Sequence, residues 1–234
     1  MLDSLLKIEP EDIGIKRLED LYKACMKGSG QVVFVSVANP EDSVATLFLF
    51  EKTNGMWQKV SPEMKAFIGK NGLKLVMNAP LSEALKELYK CEGDGCSPMG
   101  VFTITSLFGW DKNPGFNLPY RRITKYDYWV SGNSLEEYNV LINKKDGPSD
   151  SWPIFEVLKI PVYKYAAVID YNIGPERIPG NGSAIFLHIS DDLGYTYGCT
   201  SVSESNLLKI LKWLKPEMKP VFALFPAVEI KNKK

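Results

Sequence analysis

The sequence has no excess of either charge: 28 basic and 28 acidic residues cancel to a formal net charge of zero. A nucleic-acid binder normally carries a basic patch or stripe, so no nucleic-acid partner is expected. Long apolar runs are also missing. No stretch of about 18 hydrophobic residues occurs, and no membrane-spanning helix is expected. The N-terminal segment MLDSLLKIEPEDIGIKRLEDLYKAC carries acids early and has no long apolar stretch, so it does not read as a signal peptide. Four cysteines, Cys25, Cys91, Cys96 and Cys199, are too few for a disulfide framework. A Cys91–Cys96 bridge and two free thiols both remain open. There is no internal repeat and no low-complexity segment. Rarest of all is histidine, present once, as His188.

What the chain does have is hydrophobic residues (45%), 18 glycines, 15 prolines and 12% aromatics, a composition that suits a strand-rich domain with many turns. Leu18, Leu21, Tyr22 and Cys25 recur at helical spacing over residues 17–27. β-Branched and aromatic runs predict strands over 32–37, 46–51 and 56–60, with Thr53-Asn54-Gly55 as a hairpin turn. A short helix is expected over 82–90 and strands over 101–109, 162–172, 183–189 and 219–225. Residues 109–153 mix Pro, Gly, Asn and Asp with aromatics and read as an irregular wall or lid. The segment Ser203–Leu214 is the best helix, with Ser201 and Glu204 as its expected capping box. The fold class is therefore mainly β with peripheral helices (α+β), with residues 1–29 as a helical extension and 30–234 as the main domain.

The chemistry concentrates in FLHISDDLGYTYGCTSV, residues 186–202, which places the only histidine eleven positions before Cys199. His188 ends a strand, with Phe186 on its face and Leu187 on the other. Cys199 is expected just before a helix N-terminus, where backbone N–H groups and the helix dipole favour an anion and lower a thiol pKa. The N–H groups of Gly198 and Cys199 are candidate oxyanion donors. A buried inert cysteine and a hydrogen-bonded structural histidine are the plain alternatives. Other chemistries fit less well. GDGCSPMG fails both phosphate-loop patterns, and the cysteine spacing lacks a zinc knuckle, so neither a metal nor a cofactor is expected.

His188, Thr196, Gly198 and Cys199 resemble the signature of the L,D-transpeptidase (YkuD-like) catalytic domain, a histidine followed by a loop and then Ser/Thr-His-Gly-Cys. GDGCSPMGVFTI, IPGNGSAIFLHI and AFIGKNGL resemble further family segments, and the likeness spans about residues 30–225. Tyr197 stands where the pattern has a second histidine, and Ser201 where many members carry Arg or Asn. The resemblance implies a β-sandwich or barrel core and a cysteine acyl transfer on peptidoglycan stem peptides. Cys199 would be the nucleophile and His188 the base and acid, with the Ile189 carbonyl orienting the imidazole. An L,D-carboxypeptidase using water, or a silent binding domain for cell-wall peptide, are the alternatives. Thr196, Tyr197, Ser201 and Trp129 are candidate substrate contacts, and Arg121, Arg122 and Arg177 are candidates for a carboxylate. The implied location is extracytoplasmic, in the periplasm or cell envelope.

Overall fold

The first strand, β1 (Gln31–Val37), is buried along its whole length, as a run of Val and Phe flanked by two partners should be. It pairs antiparallel with β2 (Val44–Thr53), and its other edge meets the last strand, β15 (Val221–Pro226), in parallel. Alternation along β1 serves two cores: Val33, Val35 and Val37 face one, and Val32 and Phe34 face the other. β2 turns through Asn54 (φ 52°) and Gly55 (φ 80°), the two left-handed residues of a tight hairpin, into β3 (Met56–Lys59).

A computed structural model describes residues 19–20, 22–78, 83 and 86–227. Beyond β3 come β4 (Met64–Phe67), β5 (Leu73–Leu75), β6 (Ser97–Thr103), β7 (Leu107–Gly109) and β8 (Tyr120–Arg122). Next are β9 (Asp127–Ser131), β10 (Tyr138–Asn143), β11 (Ile154–Val157), β12 (Ala166–Val168), β13 (Phe186–Ile189) and β14 (Thr200–Val202). The long sheet runs β5-β6-β15-β1-β2-β4-β14-β13-β12-β7-β8, and a separate three-stranded sheet runs β10-β9-β11. The larger core draws Val33 and Leu47 from one half of the long sheet and Ala167 and Leu187 from the other, a sandwich-like arrangement. Among the described residues the named α-helices are α1 (Lys23–Met26) and α2 (Glu204–Trp213), and α2 seals this core with Leu207, Ile210 and Leu211. No helix among the described residues is long and apolar enough to cross a membrane.

Several expectations need correction. Of the helix expected over 17–27, residues 17, 18 and 21 lie outside the described residues, and Glu19, Asp20 and Lys23–Met26 are helical, while Tyr22 and Lys27 are in turns. Of the helix expected over 82–90, residues 82, 84 and 85 lie outside the described residues, while residues 86–88 form a turn and Tyr89 bridges to Leu75. The stretch 109–153 is not irregular, because it supplies β8, β9 and β10. The expected strand over 162–172 is regular only at Ala166–Val168, after a 3₁₀ turn at Pro161–Tyr163.

The cap of α2 is Ser203, whose side chain accepts from the Asn206 N–H, while Ser201 belongs to β14. Ser203→Ala should cost about 1 kcal/mol, the usual value of such a cap, read as a lower urea midpoint. An unchanged midpoint would contradict that assignment.

Candidate active site

β13 is the hinge of the site. It pairs antiparallel with β12 and parallel with β14, with His188 opposite Ser201 in the parallel ladder. Parallel neighbours need a crossover, and residues 190–199 provide it, placing Cys199 immediately before β14. Phe186 and His188 share one face of β13 while Leu187 enters the main core, as strand alternation dictates. Cys199 joins the Phe186 side, in a cluster with Phe108, Trp129 and Tyr163.

The turn before Cys199 is clamped from two sides. Thr196 is fixed to the segment after β4: its N–H donates to Ile68 O, and its own carbonyl accepts from Lys70 N, both at 2.8 Å. Its hydroxyl donates to Cys199 O (2.6 Å) and accepts from the Gly198 N–H (3.1 Å). Ser97 Oγ donates to Gly198 O at 2.7 Å. Gly198 has φ 147°, and a Cβ there would meet Cys96 O at 3.1 Å and Ile185 Cδ1 at 3.3 Å, so the position suits glycine alone.

His188 and Cys199 line one cleft of ≈ 250 Å³, together with Glu92, Trp129, Glu156, Tyr163, Thr196, Tyr197 and Gly198 among others. The His188 Nδ1 lies 2.8 Å from Ile189 O. A carbonyl only accepts, so Nδ1 carries the proton and Nε2 is left as the basic nitrogen. Tyr163 packs edge-on against the imidazole at 5.3 Å, and its hydroxyl donates to Glu156. The Cys199 Sγ donates to Ala184 O (3.2 Å) and accepts from Phe186 N–H (3.3 Å). No hydrogen bond joins Cys199 to His188 among the described residues.

The electrostatics follow from burial. Burial, and then the Glu156 carboxylate, push the Cys199 thiol far above its ordinary value, against a smaller pull from the Phe186 N–H. Burial lowers His188 from 6.5 to about 4, opposed by its bond to Ile189 O. Burial also raises Glu156, while the Tyr163 hydroxyl favours its charged form. The resting pair is therefore a neutral thiol and a neutral imidazole.

A histidine held below its unfolded value binds its proton first in the unfolded chain. Its contribution is complete above pH 6.5 and is lost as pH falls toward about 4. Its share of folding stability should be about 2 kcal/mol smaller at pH 5 than at pH 7. Urea titrations of the native chain and of His188→Gln check this: the variant's stability should fall less on acidification, and parallel curves would contradict it.

Other sequence candidates fall elsewhere. The thiol precedes a strand, not a helix, so the expected dipole and its lowering of the thiol pKa are absent. The Gly198 N–H is engaged by Thr196 rather than aimed into the cleft. Ser201 is 2% exposed within β14 and does not line the cleft. Tyr197 is 66% exposed at the rim, with Lys70 Nζ 4.7 Å from its ring centroid. Trp129 borders the cleft but packs on Phe186 at 4.9 Å, and its Nε1 donates to Asn139. Arg121 pairs with Asp127, Arg177 donates to the carbonyls of Leu135 and Gly174, and neither lines the cleft; nor does Arg122. Cys91 and Cys96 are both free thiols. Glu156 and Tyr163 carry no spacing signal in the chain, and only the fold brings them into the cleft.

A family model described as the L,D-transpeptidase catalytic domain matches residues 30–222. No curated protein matches the sequence. Among solved structures, the helical cell shape determining protein Pgp2 from Campylobacter jejuni is similar at 18% identity with a TM-score of 0.39. That alignment covers 87% of this chain and 50% of Pgp2. A mutant form of the same protein aligns at 16% identity and TM-score 0.38, covering 92% of this chain and 57% of that one. The chain thus spans about half the length of these proteins. With the family model covering most of its length, the chain belongs to the L,D-transpeptidase catalytic domain family.

Proposed function

We propose that the chain is a cysteine acyltransferase acting on peptidoglycan stem peptides, with Cys199 as nucleophile and His188 as base and acid. One observation carries the reading: the only imidazole of the chain and Cys199 open into one cleft, with Nδ1 committed to Ile189 O and Nε2 left basic. The thiol turns from Ala184 O toward Nε2 and gives up its proton there as sulfur attacks the carbonyl between an L-centre and the terminal D-residue. The C–S bond forms, the C–N bond breaks, and the imidazolium returns the proton to the leaving D-amino acid. The amide of Cys199 is the remaining oxyanion donor of the pair once Gly198 is engaged by Thr196. The rim tyrosine Tyr197 and the hydroxyl of Thr196 border the path of the stem peptide.

The acyl-enzyme is then resolved by an amine of a second stem, giving a cross-link, or by water, giving a tripeptide. Such a substrate places the protein in the cell envelope. Incubation with disaccharide-tetrapeptide fragments, followed by mass spectrometry, tests the reading. Dimers identify a transpeptidase, and tripeptide plus free D-amino acid identifies a carboxypeptidase. No product from several stem types would leave a silent peptide-binding domain.

A further inference from the structure

The three-stranded sheet supplies a side chain that holds the backbone to which the thiol is bonded. β10 pairs with β9 through Tyr138 and Val140, and the register shifts between them, so Asn139 forms a bulge. Its φ of 53° lies in the left-handed region, which asparagine tolerates better than most residues. Turned out of the ladder and only 2% exposed, its amide is fully used. Oδ1 accepts from Trp129 Nε1 (2.7 Å) and from the Ala184 N–H (3.0 Å). Nδ2 donates to Tyr171 O (3.1 Å) and Asn172 O (2.7 Å).

Ala184 is also left-handed, at φ 54°. That conformation costs an alanine about 1–2 kcal/mol and persists only where the surroundings impose it. Asn139 imposes it through the Ala184 N–H, and Tyr138 assists by accepting from the nearby Gly182 N–H at 3.0 Å. The Ala184 carbonyl is then the acceptor for Cys199 Sγ. Because a carbonyl only accepts, this bond requires the protonated thiol and favours it, whereas the Phe186 N–H favours the thiolate.

We propose that Asn139 is a positioning residue for the nucleophile: by fixing Ala184 it sets where the Cys199 thiol rests and how readily it ionises. The effect on turnover rests on the acyl-transfer reading, while the effect on the thiol does not. Freeing Ala184 removes the bond that favours the neutral thiol and leaves the Phe186 N–H in place, so ionisation becomes easier while the aim is lost.

The test is Asn139→Gly, since glycine takes the positive φ without strain and keeps the bulge. Alkylation of Cys199 by iodoacetamide is followed from pH 6 to 10 by peptide mapping, beside release of the terminal D-residue from tetrapeptide stems. The variant should keep a cooperative thermal melt, alkylate about tenfold faster at each pH, as a one-unit fall in thiol pKa would give, and release product about tenfold more slowly. Trp129→Phe, which removes only one donor to Oδ1, should shift alkylation the same way by about two- to threefold. A folded Asn139→Gly variant with the native alkylation profile overturns the proposal. Loss of the melt in Asn139→Gly, with Trp129→Phe unchanged in alkylation, overturns it too. If the native chain releases nothing while the alkylation shift appears, the positioning role stands and the acyl-transfer reading falls.

Discussion

Cys199→Ala is expected to abolish release of the terminal D-residue from tetrapeptide stems, a fall of at least about 1,000-fold, since it removes the thiol on which the acyl intermediate would form. The fold should survive the change. Sγ makes two hydrogen bonds, to Ala184 O and Phe186 N, and their loss leaves two buried groups unpaired at a cost of about 1–3 kcal/mol each at most. Product assays run beside a thermal melt separate the two effects. Full activity in a folded Cys199→Ala variant would remove the thiol from the mechanism. Loss of activity together with the melt would instead say that the residue is structural.

Phe186→Ala is expected to give the largest loss of stability, about 3–5 kcal/mol, or roughly 6–20 °C in melting temperature. Phe186 has no exposed surface and sits at the centre of the aromatic cluster beneath the cleft. Its ring meets Trp129 at 4.9 Å, Phe108 at 5.0 Å and Tyr163 at 5.6 Å, all near perpendicular. Such edge-to-face contacts add to the transfer energy of the ring. Tyr163 in turn packs on the imidazole, so the variant should also lose activity at temperatures where it remains folded. A melting temperature within 2 °C of the native value would show that the cluster relaxes around the cavity.

Strands β1 and β2 and the hairpin at Asn54-Gly55 were legible because β-branched and aromatic runs and an Asn-Gly turn are local signals, here backed by burial. The side of β13 that carries His188 was legible for the same reason, through its neighbours Phe186 and Leu187. What failed was non-local. Thr200–Val202 has no strand signal of its own length, yet it pairs with β13 and β4 and so displaces the start of α2 to Ser203. That displacement reversed the sign of the argument about the thiol: a cysteine ahead of a helix is acidified, whereas this one is buried ahead of a strand and held neutral. The three-stranded sheet was hidden because its strands alternate with Gly, Pro and Asp turns, and because Asn139 breaks the alternation of β10 at a bulge. Glu156 and Tyr163 reach the cleft from β11 and the 3₁₀ turn after it, a meeting that no spacing in the chain announces.

The central claim is that Cys199 carries the acyl group. Intact-protein mass spectrometry of the chain, mixed with a disaccharide-tetrapeptide and quenched in acid within seconds to minutes, tests it most directly. The account predicts a mass increase equal to the fragment less its terminal D-amino acid, mapped to the peptide containing Cys199 and absent from Cys199→Ala. Release of product with no adduct on Cys199, or an adduct that persists in Cys199→Ala, would contradict it.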